Sequence, residues 1–495
     1  MRSRVEEAGD RPVNIVVGGP PPVDYCVVDR SALDADREGS QHMLSHELHD
    51  TSRRDFLVRS GRAATVSVLT AAMIPRVHAG EDNTIRLALV GCGGRGTGAA
   101  ADALATRSGP TRLVAMADVF ENRLTTSHQH LAERFPQQVD VPGDRRFIGF
   151  DAFQKAMDCL RPGDVVILTT PCAFRWVHFA SAIEKGLHVF MEKPTTVDGP
   201  STRKILALAE QSAKKNLKVG VGLMCRHCQA RWALLDRIQA GEIGEITYLK
   251  TYRLVAPAGF CERKPGNMSE LLFQVQRYLS FMWASGGLVH DYTSHNIDEC
   301  CWMKGAWPIR AQGSGGRCFR GKQVDQNFDH YSVEYTFPDG TNLFLNARNM
   351  VGCYGEFASY AHGTKGSAVI STYMHTPAKC RIYKGHNLSD RELAWAFPQP
   401  EPNPYQLEWD HLIEAIRQDK PHNEAKRGAE ASLVQIMGRR AVHTGQVVTW
   451  DEALQSDHEF APDVHKLTMD SPAPLPASAD GTYPLPEPGV KEREY

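Results

Sequence analysis

The chain has 495 residues, 42% of them hydrophobic, so it is long enough for two globular domains with additional terminal segments. Acidic and basic residues nearly cancel, 58 against 56, which gives a formal charge of −2. Such a balance creates no general field for an anionic partner, and no basic stripe with interleaved aromatic residues is present, so nucleic-acid binding is excluded. The twelve cysteines are scattered and include no second CxxC pair, which argues against a four-thiolate zinc site and against a disulfide scaffold.

The N-terminal segment has the pattern of an export signal. Residues 1–50 show no sustained hydrophobic period and are expected to be a disordered leader or a start-site artefact, with Met43 as the alternative start. Residues 51–79 contain Ser-Arg-Arg-Asp-Phe-Leu-Val, an apolar stretch and a Val-His-Ala cleavage pattern, in the order of a twin-arginine signal peptide. The apolar stretch is too short for a stable bilayer anchor. The sequence therefore predicts export through the twin-arginine machinery, to the periplasm or beyond.

Residues 83–223 are predicted to form an N-terminal Rossmann dinucleotide-binding domain. A short β-type run over 83–90 leads directly into Gly-Cys-Gly-Gly-Arg-Gly and then into an alanine-rich helix. This context supports a G-x-G-x-x-G fingerprint, because glycines let the backbone approach a pyrophosphate whose charge lies at the helix N-terminus. The predicted cofactor-binding positions of this turn are Gly91, Gly93, Gly94, Arg95 and Gly96.

Asp118 ends the second predicted strand, 22 residues after the last glycine of the fingerprint. A Rossmann unit places there the carboxylate that binds the adenosine ribose hydroxyls, and a carboxylate disfavours a 2′-phosphate. NAD is therefore expected in preference to NADP, although the nearby Arg123 leaves NADP open. The alternative role for Asp118 is to cap the following helix.

Two further apolar strands, 164–168 and 187–191, end on Thr-Thr-Pro and on Glu-Lys-Pro. Together with GCGGRG at 91–96 and ADVFENR at 117–123, the motifs TTP at 169–171 and MEKP at 191–194 resemble those of the Gfo/Idh/MocA oxidoreductases, the glucose–fructose oxidoreductase and inositol dehydrogenase type. The resemblance covers about residues 85–453. It implies that Thr170, Pro171, Glu192 and Lys193 face the cofactor.

In the resembling family, the lysine of Glu-Lys-Pro lies beside the reacting carbon of the substrate and the nicotinamide, often with a cis peptide before the proline. This role falls on Lys193. An ammonium group beside a developing alkoxide or carbonyl oxygen stabilises that oxygen, so the chemistry suits the position. Without the resemblance, a surface lysine at a strand end would be the simpler interpretation.

Residues 224–455 are predicted to form an α+β domain with a largely antiparallel open sheet, because several runs alternate at period two and Asp-Gly at 339–340 is typical of a hairpin. Its densest polar cluster is residues 285–298, where Asp291 and His295 are four apart and are expected to share one face of a helix. The resemblance implies that Asp291 orients the substrate and that His295 exchanges the hydroxyl proton. Two alternatives are that His295 is a structural histidine, or that His290, Asp291 and His295 bind a metal. Their spacing fits no standard metal motif, so no metal is expected.

The proline-rich segment 456–495 is expected to wrap the surface or to be disordered. Taken together, the sequence predicts an NAD(P)-dependent oxidoreductase that transfers a hydride to or from a sugar, cyclitol or polyol. Because free NAD is scarce outside the cytoplasm, the cofactor is expected to be tightly bound. Two alternatives stay open: a redox-neutral glycosidase or lyase that oxidises its sugar transiently, and a non-catalytic sugar-binding module on a Rossmann scaffold. The resemblance also suggests a homo-oligomer.

Overall fold

The computed structural model describes residues 83–319, 321–491 and 493–495. The leader and the twin-arginine signal predicted for residues 1–79 lie outside this range. None of the helices within it is long and apolar enough to cross a membrane.

The first half of the described chain forms a parallel six-stranded sheet with helices on both faces. The strands are β1 Ile85–Val90, β2 Thr111–Asp118, β3 Arg146–Ile148, β4 Val165–Leu168, β5 His188–Met191 and β6 Val219–Val221. The helices are α1 Gly94–Leu104, α2 Glu121–Arg134, α3 Ala152–Met157, α4 Arg175–Glu184 and α5 Gly199–Lys214. The spatial order β3-β2-β1-β4-β5-β6 reverses direction between β1 and β4, and the carboxyl ends of all six strands meet at one edge. This is the predicted Rossmann arrangement, in which a dinucleotide binds at that reversal.

The second half is built on a nine-stranded sheet of order β14-β13-β12-β11-β7-β10-β9-β8-β15. Only β7 and β10 pair in parallel, so the predicted largely antiparallel sheet is confirmed. The strands are β7 Ile246–Val255, β8 Arg310–Gly316, β9 His330–Thr336, β10 Asn342–Asn349, β11 Glu356–Gly363, β12 Ser367–Thr372, β13 Arg381–Tyr383, β14 Leu393–Ala396 and β15 Val448–Thr449. The helices are α6 Gln229–Gln239, α7 Glu270–Gln276, α8 Met282–Ser285, α9 Leu288–Tyr292, α10 Ser294–Lys304, α11 Pro404–Arg417, α12 Ala425–Thr444 and α13 Trp450–Gln455.

Two helices from the C-terminal half pack on the Rossmann sheet. Helix α11 buries Trp409, Leu412 and Ile413 in the same apolar cluster as the first strand and α1. The N-terminal part of α12 joins the cluster on the opposite face of that sheet, while its C-terminal part packs against β8 and β9. Helix α12 therefore belongs to both cores and connects them.

The proline-rich segment after α13 wraps the fold and contributes to its core. Phe460, Val464, Leu475 and Tyr483 are each at most 7% exposed. They share one apolar cluster with residues of α7 and α8 and with the loop after β4. Of the two expectations for this segment, wrapping is what the structure shows, and its aromatic and aliphatic anchors explain why.

Candidate active site

The glycine turn after β1 contains two kinds of glycine. Gly91 has φ +99°, and a Cβ there would lie 2.8 Å from the backbone of the Thr169–Thr170 segment. A Cβ on Gly96 would lie 2.0 Å from the carbonyl oxygen of Gly91. By contrast, a Cβ on Gly93 or Gly94 would meet nothing within 4 Å among the described residues. Packing thus requires the first and last glycines, whereas the middle pair leaves an open surface at the N-terminus of α1, where a pyrophosphate fits.

Arg95, predicted to bind the cofactor, has a side chain that bridges two motifs of the site. Its Nε donates to Glu192 Oε1 at 2.5 Å, and its Nη2 lies 3.4 Å from Glu408 of α11. Its guanidinium also lies 4.8 Å from the ring centre of Tyr405. Burial alone would lower the pKa of Arg95, but the negative charges of Glu192 and Glu408 outweigh it and raise that pKa. The glycine turn and the Glu-Lys-Pro segment are therefore joined by a charged hydrogen bond.

Asp118 lies at the carboxyl end of β2, beside the glycine turn. Its Oδ2 accepts from the backbone N–H of Cys92 at 2.6 Å, and its Oδ1 accepts from that of Phe120 at 2.9 Å. Each oxygen keeps a second lone pair, so the carboxylate can still accept ribose hydroxyls. Burial raises its pKa, although these hydrogen bonds and the nearby Arg123 oppose the shift. Phe120, not Asp118, is the N-cap residue of α2, so the helix-capping alternative does not apply.

The Thr169-Thr170-Pro171 turn follows β4 and is held in place by hydrogen bonds from a buried arginine. Arg175 is 1% exposed, and it donates to the carbonyl oxygens of Leu168 at 2.5 Å and of Thr170 at 2.8 Å. Thr170 Oγ1 lies 3.2 Å from Nδ1 of His178. Thr170 and Pro171 are thereby held at the sheet edge where the glycine turn lies.

Lys193 extends from the end of β5 to the segment predicted to hold the other catalytic residues. Its Nζ donates to the backbone oxygen of Asp291 at 2.9 Å and lies 3.5 Å from Asp291 Oδ1. The side chains of Lys193 and Asp291 are 16% and 21% exposed, so both can be reached by a small molecule. The peptide between Lys193 and Pro194 is cis, as the resemblance implies.

One detail of the sequence prediction is wrong: Asp291 and His295 do not belong to one helix. Helix α9 ends at Tyr292 and α10 begins at Ser294, with a turn at Thr293 between them. The side-chain hydroxyl of Thr293 donates to the carbonyl oxygen of Val289 at 2.6 Å, and such back-bonding bends helices. Asp298, one turn further along, is 1% exposed and pairs with both Nε and Nη2 of Arg226, which makes it structural.

His295 is buried in positively charged surroundings. It is 5% exposed, and its Nδ1 has no hydrogen-bond partner among the residues that the structure describes. Burial is the largest cause that lowers its pKa well below 6.5, and Lys193, Arg231 and Arg253 lower it further. The imidazole is therefore neutral at pH 7 and able to accept a proton.

Several residues of the site region were not predicted from the sequence. The ring of His375 lies edge-on to His295 with 4.4 Å between centroids, and Arg253 stacks 3.8 Å from the ring centre of Phe357 beside them. Arg231 and Glu299 are both fully buried and form a salt bridge, with 2.7 Å between Arg231 Nη2 and Glu299 Oε2. These residues come from five separate elements or loops, and only Glu299 lies close in sequence to a predicted motif.

Two groups of metal-ligating side chains come within 4.8 Å of one another in the described part of the chain. One joins Cys225, Glu299 and His375, and the other joins exposed Cys318, buried Asp329 and partly buried His330. In the first, Glu299 already pairs with Arg231 and accepts from Ser371 Oγ at 2.6 Å, so the charge of Glu299 is balanced by the guanidinium of Arg231.

Neither group contains the residues of the metal alternative that the sequence left open. His290 bonds through Nε2 to the carbonyl oxygen of Thr196 at 2.7 Å.

Comparison with known proteins places the fold among sugar and cyclitol oxidoreductases. No protein-family model matches the chain. It is 27% identical over 262 residues to the scyllo-inositol 2-dehydrogenase (NAD(+)) of Bacillus subtilis, across 52% of this chain and 69% of the relative. It is also 30% identical over 104 residues to an inositol 2-dehydrogenase of Corynebacterium glutamicum, across 21% of this chain and 30% of that relative.

Among solved structures, the aldose–aldose oxidoreductase of Caulobacter crescentus complexed with glycerol superposes with a TM-score of 0.57 at 17% identity, covering 74% of this chain and 99% of the other. The scyllo-inositol dehydrogenase of Lactobacillus casei with bound NAD(H) and scyllo-inositol gives a TM-score of 0.54 at 21% identity, covering 74% and 99%. The similarity to solved structures shows the fold. The sequence similarity is to inositol dehydrogenases. Both support the resemblance of this chain to the Gfo/Idh/MocA oxidoreductases.

Proposed function

We propose that this protein is an NAD-dependent oxidoreductase that transfers a hydride between the nicotinamide and a hydroxyl-bearing carbon of a cyclitol, sugar or related polyol. The observation that carries the proposal is the position of Lys193. It follows β5 next to Glu192, which binds Arg95 of the glycine turn, and it donates to the backbone oxygen of Asp291 at 2.9 Å. The relatives named above, which act on inositols, support the same substrate class.

The residues around the glycine turn fit a dinucleotide. Gly93 and Gly94 would lie against the pyrophosphate and Asp118 would hold the adenosine ribose, while Thr170 and Pro171 line the same sheet edge. When bound, NAD supplies the hydride acceptor. The carboxylate of Asp118 favours NAD, since a 2′-phosphate would be repelled by it.

Three side chains, those of Lys193, Asp291 and His295, can bind the substrate and move its proton. Lys193 is held by a backbone carbonyl, so its ammonium is oriented and can donate to the substrate oxygen as negative charge develops there. The Asp291 carboxylate can accept from a substrate hydroxyl and fix the ring or chain that carries it. The neutral imidazole of His295 can take the hydroxyl proton.

We further propose that the protein is exported by the twin-arginine pathway and retains its cofactor. The order of motifs in residues 51–79 supports export, and a folded, cofactor-loaded protein is what this pathway carries. A retained cofactor would be regenerated in place by reduction of a second carbonyl compound. Denaturing the purified protein and measuring released nicotinamide nucleotide tests this: near-stoichiometric NAD is expected, and an empty protein that also fails to bind added NAD would contradict it.

The catalytic assignment is tested with Lys193→Ala and His295→Ala. Each is expected to lose roughly 100-fold or more in kcat because a group that acts on the transferring proton or oxygen is removed, while NAD stays bound. Lys214→Ala and His130→Ala, both at exposed positions away from the site, are the matched controls and should leave turnover unchanged. Full turnover in both site variants would overturn the assignment, whereas a parent protein without turnover on any polyol tested would favour the binding-module alternative.

A further inference from the structure

Glu494 is a buried carboxylate near the C-terminal end of the chain. Although it is far in sequence from Lys193 and Asp291, it binds an arginine that contacts both of their segments. Glu494 is 2% exposed. Its Oε1 accepts from Arg439 Nε at 2.7 Å and its Oε2 accepts from Arg439 Nη2 at 3.1 Å, so the pairing is bidentate. His443 donates from Nδ1 to the same carboxylate at 3.0 Å, while its Nε2 accepts from the hydroxyl of Tyr331 at 2.9 Å.

Arg439 uses its remaining donors on the two backbone segments that carry the proposed catalytic residues. Nη2 donates to the carbonyl oxygen of Val197 at 2.9 Å, four residues after Lys193. Nη1 donates to the carbonyl oxygen of Gly286 at 3.3 Å, in the turn that leads into α9 and Asp291. The Arg439 guanidinium thus hydrogen-bonds both to the loop after the Glu-Lys-Pro motif and to the turn that precedes α9.

Other contacts reinforce the same junction. His290, 1% exposed, donates from Nε2 to the carbonyl oxygen of Thr196 at 2.7 Å, which joins α9 to the loop directly. Gly286 has φ +79°, and a Cβ there would lie 2.5 Å from His290 and 2.6 Å from Arg439, so the turn has no room for a side chain. The backbone N–H of Phe460 donates to Asp198 Oδ2 at 2.9 Å, a second link between the C-terminal segment and the loop.

We propose that Glu494 is a positioning residue for the hydride-transfer reaction: it fixes Arg439, which holds the Lys193 loop and the Asp291 turn in register. The two segments meet at the Lys193–Asp291 hydrogen bond, 98 residues apart in sequence, and both Arg439 and the His290–Thr196 hydrogen bond join them. Without its carboxylate partner, the Arg439 guanidinium is a buried, uncompensated charge that will move towards water or another acceptor. The inference rests on the proposed function, because it assigns a consequence for turnover to this geometry.

The test compares Glu494→Gln with a double variant, Arg439→Met/Glu494→Leu, in the full-length protein. Glu494→Gln is expected to lower kcat at least tenfold with NAD still bound and with less than a threefold change in KM. The double variant removes both buried charges, which often restores stability, but it also removes the hydrogen bonds to Val197 and Gly286. Its Tm is expected to recover while kcat stays low. Recovery of kcat together with Tm would show a purely structural role and overturn the proposal.

The matched control is Glu487→Gln, which breaks the exposed Lys491–Glu487 pair in the same segment and should change neither kcat nor Tm. Hydrogen exchange provides a readout that does not need turnover. The backbone amides of residues 195–198 and 286–291 should exchange at least tenfold faster in Glu494→Gln than in the parent protein, and unchanged exchange there would also overturn the proposal. If the parent protein is inactive on every polyol tested, the proposed function fails, and the exchange result still decides whether Glu494 organises the two segments.

Discussion

Alanine at Gly93 and alanine at Gly96 should separate cofactor binding from folding within one turn. Gly93 has φ −71° and ψ 179°, which alanine adopts without strain, and its new Cβ would meet nothing within 4 Å. The free energy of unfolding should therefore change by no more than about 0.5 kcal/mol, because neither packing nor backbone conformation is disturbed. The same methyl group occupies the surface that a pyrophosphate approaches. A steric penalty of about 1–3 kcal/mol there corresponds to a rise of roughly 5- to 150-fold in the Kd for NAD.

Gly96→Ala should show the opposite pattern. Its Cβ would lie 2.0 Å from the backbone oxygen of Gly91 and 2.5 Å from Thr169 Oγ1, so α1 must move away from β1. A helical alanine gains about 1 kcal/mol over glycine, but displacement of backbone from backbone should outweigh it and leave a net loss of about 2 kcal/mol. Urea unfolding and calorimetric titration with NAD measure both quantities, with Gly143→Ala, in open space away from the site, as the control. An unchanged Kd in Gly93→Ala would refute the placement of the pyrophosphate.

Three further predictions concern charge and protonation. Asp291→Asn should keep NAD bound and lower kcat/KM by roughly 100-fold in steady-state assays, since Lys193 stays on the backbone oxygen of residue 291 and only the substrate contact weakens. Because the pKa of His295 lies well below 6.5, kcat/KM for oxidation should stay level from pH 8 to 6.5 and fall only at lower pH; a midpoint near 7 would contradict a buried neutral base. Burial lowers the pKa of His178 and of His290 to about 3, so the unfolded chain binds more protons below pH 6.5 and stability must fall as the pH falls. Each histidine should cost about 2 kcal/mol between pH 7.5 and pH 5, and equal urea midpoints at the two pH values would contradict this.

The Rossmann half could be predicted because its signals are local. A buried strand, a glycine turn and a helix N-terminus follow one another within twenty residues. Gly91 and Gly96 are required because the backbone approaches them too closely for a Cβ atom. The Arg95–Glu192 bond could not be predicted in this way. It joins residues 97 apart, and a positively charged residue in a glycine turn is as readily assigned to a phosphate.

The helix break at Thr293 and the buried anchors of residues 456–495 escaped prediction for different physical reasons. Spacing of four fits one continuous helix, and only the back-bonding of a threonine hydroxyl shows where it bends. The C-terminal segment is rich in proline and poor in periodicity, which is typical of an unstructured chain. Its order comes from a few separated anchors, such as Phe460 and Tyr483, and from the buried charge of Glu494, none of which leaves a periodic trace.

The electrostatics of the site give one reason for placing a buried histidine beside a lysine. Lys193, Arg231 and Arg253 all disfavour a proton on His295, so the resting imidazole is neutral and available as an acceptor. On taking the hydroxyl proton His295 would gain a positive charge, and bound NAD would supply a hydride acceptor that would lose a positive charge in the same turnover. The net charge of the site would then stay constant, so the surrounding charged side chains need little reorganisation to accommodate the change.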